Sequence, residues 1–140
     1  MNATSSSLAT TSPWGTAEQS LTPKRKRAIV IGASSGIGAA CARELVARGY
    51  QVAMLARRED KLGVIAEALN QKAGATVAHV FAHDVRDTAG IPALLDQCCE
   101  ILGGCDVVLY ATGVLWVPEL DAYDTSEDIS EIEINVIGAV

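Results

Sequence analysis

Four short apolar runs, each followed by a stretch of helical periodicity, constrain this chain more than any other feature. The runs are Ala28-Ile29-Val30-Ile31, residues 51–56 around Val52-Ala53-Met54-Leu55, residues 76–82, and Asp106-Val107-Val108-Leu109-Tyr110. The first is a continuous apolar run, which suits a strand buried on both faces, the second is another apolar run, and the other two also read as strands. Between the runs, Ile37, Cys41 and Leu45 recur at four-residue spacing up to Gly49. Leu62, Ile65, Ala66 and Leu69 share one face of residues 59–71, before Gly74. Ile91, Leu94, Leu95, Cys98, Ile101 and Leu102 form a stripe within residues 88–102, broken by Gly103-Gly104. Such stripes mark helices that bury one side, and a glycine past the last turn stops them. After Pro118, Thr125 with Asp128 three residues on reads as a helix cap, opening a last helix expected to run to Val140.

The order β-α-β-α-β-α-β-α predicts an α/β fold: an open, doubly wound parallel sheet with helices on both faces and right-handed crossovers. A closed barrel needs eight such units, and this chain has room for four. The expected strand order is 3-2-1-4, truncated after about four strands. Strand 4 would then be an edge, with Val107, Val108 and Leu109 unpaired on one side, an aggregation hazard.

Residues 28–140 read as one partial domain and residues 1–27 as a tail with a basic lead-in. Residues 1–22 are rich in Ser, Thr and Ala, with neither a basic start nor an apolar stretch, so a secretory signal is not expected. No arginine precedes Arg25, which argues against a transit peptide, and without secretion the Asn2-Ala3-Thr4 sequon carries no meaning. Lys24-Arg25-Lys26-Arg27 reads as a solvated entrance to the first strand rather than a nuclear address.

The net charge of −6 is unevenly divided: residues 1–27 carry +3 and residues 28–140 carry −9. A body of that charge repels phosphate backbones, and six aromatic residues are too few for a base-stacking surface, so nucleic acid is not an expected partner. No apolar run approaches the about 20 residues of a membrane helix. Cys41, Cys98, Cys99 and Cys105 form no C-x-x-C pair, and His79 and His83 lie apart from them, so no metal site is expected. Free thiols without a disulfide framework fit a reducing cytoplasm.

The strongest chemical signal follows the first strand: Gly32-Ala33-Ser34-Ser35-Gly36-Ile37-Gly38. Glycine lets a ligand approach the main chain, and the following helix start aims unpaired N–H groups and partial positive charge at whatever docks there. A diphosphate suits that environment, with Ser34 and Ser35 adding hydroxyl donors. A triphosphate loop would end in Gly-Lys-Ser/Thr, and this turn has no lysine. The glycine spacing is G-x-x-x-G-x-G, not the literal G-x-G-x-x-G.

That spacing, with Ala-Ser-Ser inside it and Ile between the last two glycines, resembles the short-chain dehydrogenase/reductase family from about residue 28 to residue 140. The resemblance implies a Rossmann-like fold in which Gly32, Ser34, Ser35, Gly36, Ile37 and Gly38 hold a dinucleotide diphosphate. The second strand ends Ala56-Arg57-Arg58-Glu59-Asp60, facing the adenosine ribose in such a fold. An acid there would accept from two ribose hydroxyls and repel a 2′-phosphate, whereas a guanidinium pairs with phosphate oxygens. Ala56 is neutral where the acid usually stands, so Arg57, with Arg58 beside it, favours NADP over NAD. The competing reading pairs both arginines with Glu59 and Asp60 at a solvated helix start.

Further positions are assigned by resemblance alone. Asp84 would accept from the adenine amine and Val85 would pack on the ring, although a strand-end Asp also serves as a turn cap. His83 reads as a loop residue. Tyr110-Ala111-Thr112-Gly113 stands where the family usually shows Asn-Asn-Ala-Gly, so Ala111 and Gly113 could keep their backbone contacts while the asparagine hydrogen bonds are lost. Asn135, with Gly138 three residues on, resembles the family's helix asparagine tied to a proton relay; alternatively it bonds a backbone carbonyl. The family's serine and Tyr-x-x-x-Lys are missing: Tyr50, Tyr110 and Tyr123 are followed at the fourth position by Met54, Val114 and Glu127, and no lysine follows Lys72. The chain thus looks like the N-terminal half of an enzyme, inactive alone.

The leading expectation is an NADP-dependent oxidoreductase acting on a small-molecule carbonyl or alcohol, homo-oligomeric at full length. The seven acids of residues 119–133 are either a solvated helix face or a partner surface. The rivals are a non-catalytic dinucleotide binder acting as a sensor, and a nucleotide-sugar or nucleoside domain on the same fold.

Overall fold

The computed structural model describes residues 25–117 and 124–140. The tail at residues 1–22, Lys24, Pro118 and Tyr123 lie outside them. Among the described residues, four parallel strands form one sheet: β1 (Arg27–Ile31), β2 (Gln51–Ala56), β3 (Ala78–Ala82) and β4 (Val107–Tyr110), in the order β3-β2-β1-β4. Four α-helices of the described residues alternate with them: α1 (Gly36–Ala47), α2 (Glu59–Ala73), α3 (Ile91–Leu102) and α4 (Thr125–Asn135).

The consecutive apolar runs are divided between the two faces by the two-residue strand period. Val30, Val52 and Met54 face one core with Ala42 of α1 and with Leu62, Ala66 and Leu69 of α2. Ile29, Ile31, Ala53 and Leu55 face the other, with Cys98 and Leu102 of α3 and Ile134 of α4. β1 and β2 are therefore almost wholly buried, and the fold is doubly wound as the alternation predicts. Left-handed Gly74 and Gly103 stop α2 and α3. Asn70 pins the end of α2 to β3: its Oδ1 accepts from the amides of Val77 and Ala78, and its Nδ2 donates to the carbonyl of Ala78.

The structure corrects several boundaries. β3 begins at Ala78 and α3 at Ile91, both later than the periodicity suggests. The cap of α4 is Asp124, whose carboxylate accepts from the amide of Ser126 at 2.8 Å, so Thr125 is the first helical residue. The helix ends at Asn135, and a 3-10 turn follows at Ile137–Ala139. The expected stripe on α1 is also displaced. Ile37 is 77% exposed, while the buried residues are Gly38, Ala39 and Ala42; at Gly38 the carbonyl of Gly32 leaves no room for a side chain, and Leu45 and Val46 pack on the core only in part. Ile101 of α3 is likewise exposed.

β4 pairs with β1 on one side, and Val107 and Val108 are exposed. Its entrance is fastened by Arg27, whose guanidinium meets Asp106 at 2.8 Å and also donates to the carbonyl of Gly103.

Candidate cofactor-binding site

The strand registers bring the carboxyl ends into line: Ile31 lies opposite Leu55 and Tyr110, and Ala56 opposite Ala82. The residues just past those ends enclose a cleft of about 800 Å³. It opens where the strand order reverses, between β1 and β4, the place where open α/β sheets bind ligands.

Gly32 leaves β1 at φ +89°, and its amide and that of Ala33 both donate to the carbonyl of Leu55. A Cβ on Gly32 would lie 2.6 Å from Oγ1 of Thr112 and 2.7 Å from the carbonyl oxygen of Ala111, so the end of β4 permits only glycine there. Gly36, at φ +54°, has open space where a Cβ would stand, on the cleft side. Gly38 differs from both: it is buried, and a Cβ would press into the carbonyl of Gly32. Its role is close packing of α1 on the turn, not lining of the cleft.

Ser35 caps α1 with extended backbone but makes no side-chain cap bond, and the first turn has no acid. The positive end of the helix dipole is left for an anion. The Ser35 hydroxyl instead accepts from Nη2 of Arg58 at 2.9 Å, and that of Ser34 from the same nitrogen at 3.1 Å. Arg58 thus reaches back to the glycine turn rather than pairing with Glu59 or Asp60, a contact that the sequence reading missed. Ala56 and Arg57 line the cleft beside it.

Asp84, Val85, Ala111 and Gly113 also line the cleft, so every residue expected to hold the cofactor converges there except Gly38. His83 is on the wall too, in a loop, with its Nε2 buried and unpartnered. The hydroxyl of Thr112 is likewise buried without a partner. Asp84 is held by Arg86: Nη2 donates to Oδ2 at 2.5 Å, and Nε and the backbone amide each donate to Oδ1 at 3.0 Å. Those hydrogen bonds lower the carboxyl to about pKa 2, with lesser help from the charge of Arg57. Asp84 is a residue type that accepts from the amide two positions on, as it does from Arg86, but nothing in the sequence marks the Arg86 guanidinium as its second partner.

Asn135 does not itself line the cleft but stands directly behind its wall, bonded to Val114 and beside Gly113, in the loop beyond β4. Its Nδ2 donates to the carbonyl of Val114 at 2.7 Å, and its Oδ1 accepts from the amide of Val114 at 2.8 Å. The backbone-bonding reading describes this contact. Nearby, Tyr110 donates to the carbonyl of Ile134 at 2.6 Å, and the amide of Trp116 donates to Glu131. A side-chain brace therefore exists at β4, from a tyrosine where the family usually has asparagine. Among the described residues, no cluster of His, Cys, Asp and Glu could hold a metal ion, and no helix is long and apolar enough to cross a membrane.

The family model for short chain dehydrogenase matches residues 26–140, and the chain belongs to that family. It is 31% identical over 111 residues to an uncharacterized oxidoreductase of Staphylococcus haemolyticus, covering 79% of this chain and 46% of that protein. An alcohol dehydrogenase from the archaeon Thermococcus sibiricus, complexed with 5-hydroxy-NADP, superposes with a TM-score of 0.73 at 34% identity, over 81% of this chain and 48% of that one. The L-sorbose reductase of Gluconobacter frateurii, complexed with NADPH and L-sorbose, gives 0.73 at 27% identity, over 83% and 44%. The chain spans about half the length of the curated relatives it matches.

Proposed function

We propose that this cleft binds NADP(H) and that the protein serves hydride exchange between that cofactor and a small carbonyl or alcohol substrate. The observation that carries the reading is that Arg57 and Arg58 both line the cleft, the Arg58 guanidinium lying on the two serines at the start of α1, where no side chain caps the helix amides, with neutral Ala56 at the strand end. The residues fit the cofactor. Gly36 leaves room for main-chain approach, and the first turn of α1 favours a diphosphate. Arg57 and Arg58 offer planar donors to a 2′-phosphate. Asp84 would accept from the adenine amine, and Val85, mostly buried in the core but on the cleft wall, would meet the ring. Ala111 and Gly113 present backbone at the β4 side.

When bound, the nicotinamide supplies or takes up the hydride. Asn135 holds the loop after β4 in place on the substrate side. Proton exchange at the substrate oxygen is assigned to groups outside these 140 residues, because no tyrosine here has a lysine four residues on. A reducing, cytoplasmic setting suits the four free thiols. The proposed whole protein is a homo-oligomer.

Titration with NADPH and NADH, followed by nicotinamide fluorescence, tests the reading. NADPH is expected to bind roughly tenfold or more tightly than NADH, the scale of a charge-assisted contact. Equal affinities would remove the phosphate assignment, and binding of neither would remove the site.

A further inference from the structure

Arg86 is not on the cleft wall, yet it is the most heavily engaged partner of a residue that is. An ionised carboxylate has about four acceptor positions. Three N–H groups of Arg86 occupy Asp84: the backbone amide and Nε on Oδ1, and Nη2 on Oδ2, with Nε also 3.2 Å from Oδ2. About one acceptor position is left. The turn is closed on the backbone as well, the amide of Asp87 donating to the carbonyl of Asp84 at 2.9 Å. The charge of Glu133 on α4 acts on the same guanidinium.

We infer that Arg86 is a positioning residue for nucleobase selection: its fork fixes the Asp84 carboxylate so that a single acceptor remains for the exocyclic amine of adenine. The inference rests on the dinucleotide reading above and deepens it. A carboxylate held in this way can only accept. It rewards a base that carries an amine at the 6-position, and it repels the lone pairs of a base that carries a keto oxygen there. A freely rotating carboxylate would make the same discrimination poorly, because it must be ordered on binding. Arg86 itself need not touch the ligand.

The test uses two ligands that differ at that one substituent, NADPH and its hypoxanthine counterpart, titrated by calorimetry into the wild type, Arg86→Met and Arg86→Lys. Methionine keeps much of the aliphatic stem, and lysine keeps the charge without the fork. The wild type is expected to favour NADPH by about tenfold or more. In Arg86→Met, NADPH binding should weaken severalfold while the hypoxanthine analogue changes less than twofold, so the ratio collapses. Arg86→Lys should restore little of the ratio even where it restores the unfolding midpoint. If Arg86→Met does not fold, the lysine variant decides alone. An unchanged ratio in a folded variant overturns the inference while leaving the cofactor reading intact. A wild type that binds NADPH without preference over the analogue also overturns it, and one that binds neither ligand overturns both.

Discussion

Tyr110 and Ile134 are joined by a 2.6 Å hydrogen bond from phenol to backbone carbonyl, which ties the end of β4 to the last turn of α4. Burial also raises the phenol's pKa, so the proton stays on its donor. A Cβ on Gly138 would stand 3.0 Å from that hydroxyl and 2.9 Å from the carbonyl of Val85, so glycine there makes room for the brace. Tyr110→Phe should cost about 1 kcal/mol. Urea unfolding checks this, and an unchanged midpoint would show that the bond adds nothing.

Gly38 and Gly36 should fail in different ways. Gly38→Ala should destabilise by about 3 kcal/mol, because the added carbon meets backbone that cannot yield. Gly36→Ala meets nothing and should cost only about 1 kcal/mol for its left-handed backbone, but it should weaken dinucleotide binding by intruding on the cleft. Thermal melts with and without NADPH separate the two. Equal losses of stability would contradict the assignment of Gly38 to packing.

Arg57→Ala should lower NADPH affinity about tenfold and leave NADH affinity unchanged. Arg58→Ala should weaken both, since it also releases the Ser34 and Ser35 hydroxyls. Parallel fluorescence titrations are sufficient. A loss of NADH binding in Arg57→Ala would mean that this side chain shapes the cleft rather than reading a phosphate.

The depressed carboxyl of Asp84 makes a pH prediction. Its folded pKa, about 2, lies below the ordinary 3.8, so its stabilising contribution is complete above about pH 4 and disappears as pH falls toward 2. The stability gap between the wild type and Asp84→Asn should therefore be constant near neutrality and close within that acid window. A gap that persists at pH 2 would point to a cause other than ionisation.

In these 140 residues taken alone, the exposed side of β4 should drive self-association. Val108 is 56% exposed on this edge of the sheet. Val108→Lys should shift the light-scattering mass toward monomer, because a charge on an edge strand opposes further pairing. An unchanged mass would locate the association elsewhere.

The sheet was legible because its signals are local and repeated. Consecutive apolar residues marked β1 and β2, and glycines stopped α2 and α3 at positions where left-handed backbone is found. The strand order followed from the alternation and the handedness of crossovers. The site was legible where it depends on backbone shape, at Gly32 and Gly36. Ile37 misled because an apolar residue facing a ligand cleft has the same spacing as one facing a core. The sequence does not separate Asp124 from Thr125 as the cap, because both residue types cap helices and they stand side by side. Arg58 on the serines and Tyr110 on Ile134 are contacts across 23 or 24 residues, and no periodicity encodes which way a long side chain turns.

The bare start of α1 has a thermodynamic consequence. A bound diphosphate would complete the amide valences that Ser35 leaves open, so the ligand would act as the missing end-piece of the helix. Coenzyme uptake and tightening of that first coil would then be a single equilibrium. Amides there should exchange with deuterium more slowly once the coenzyme is seated, by the factor that its occupancy sets.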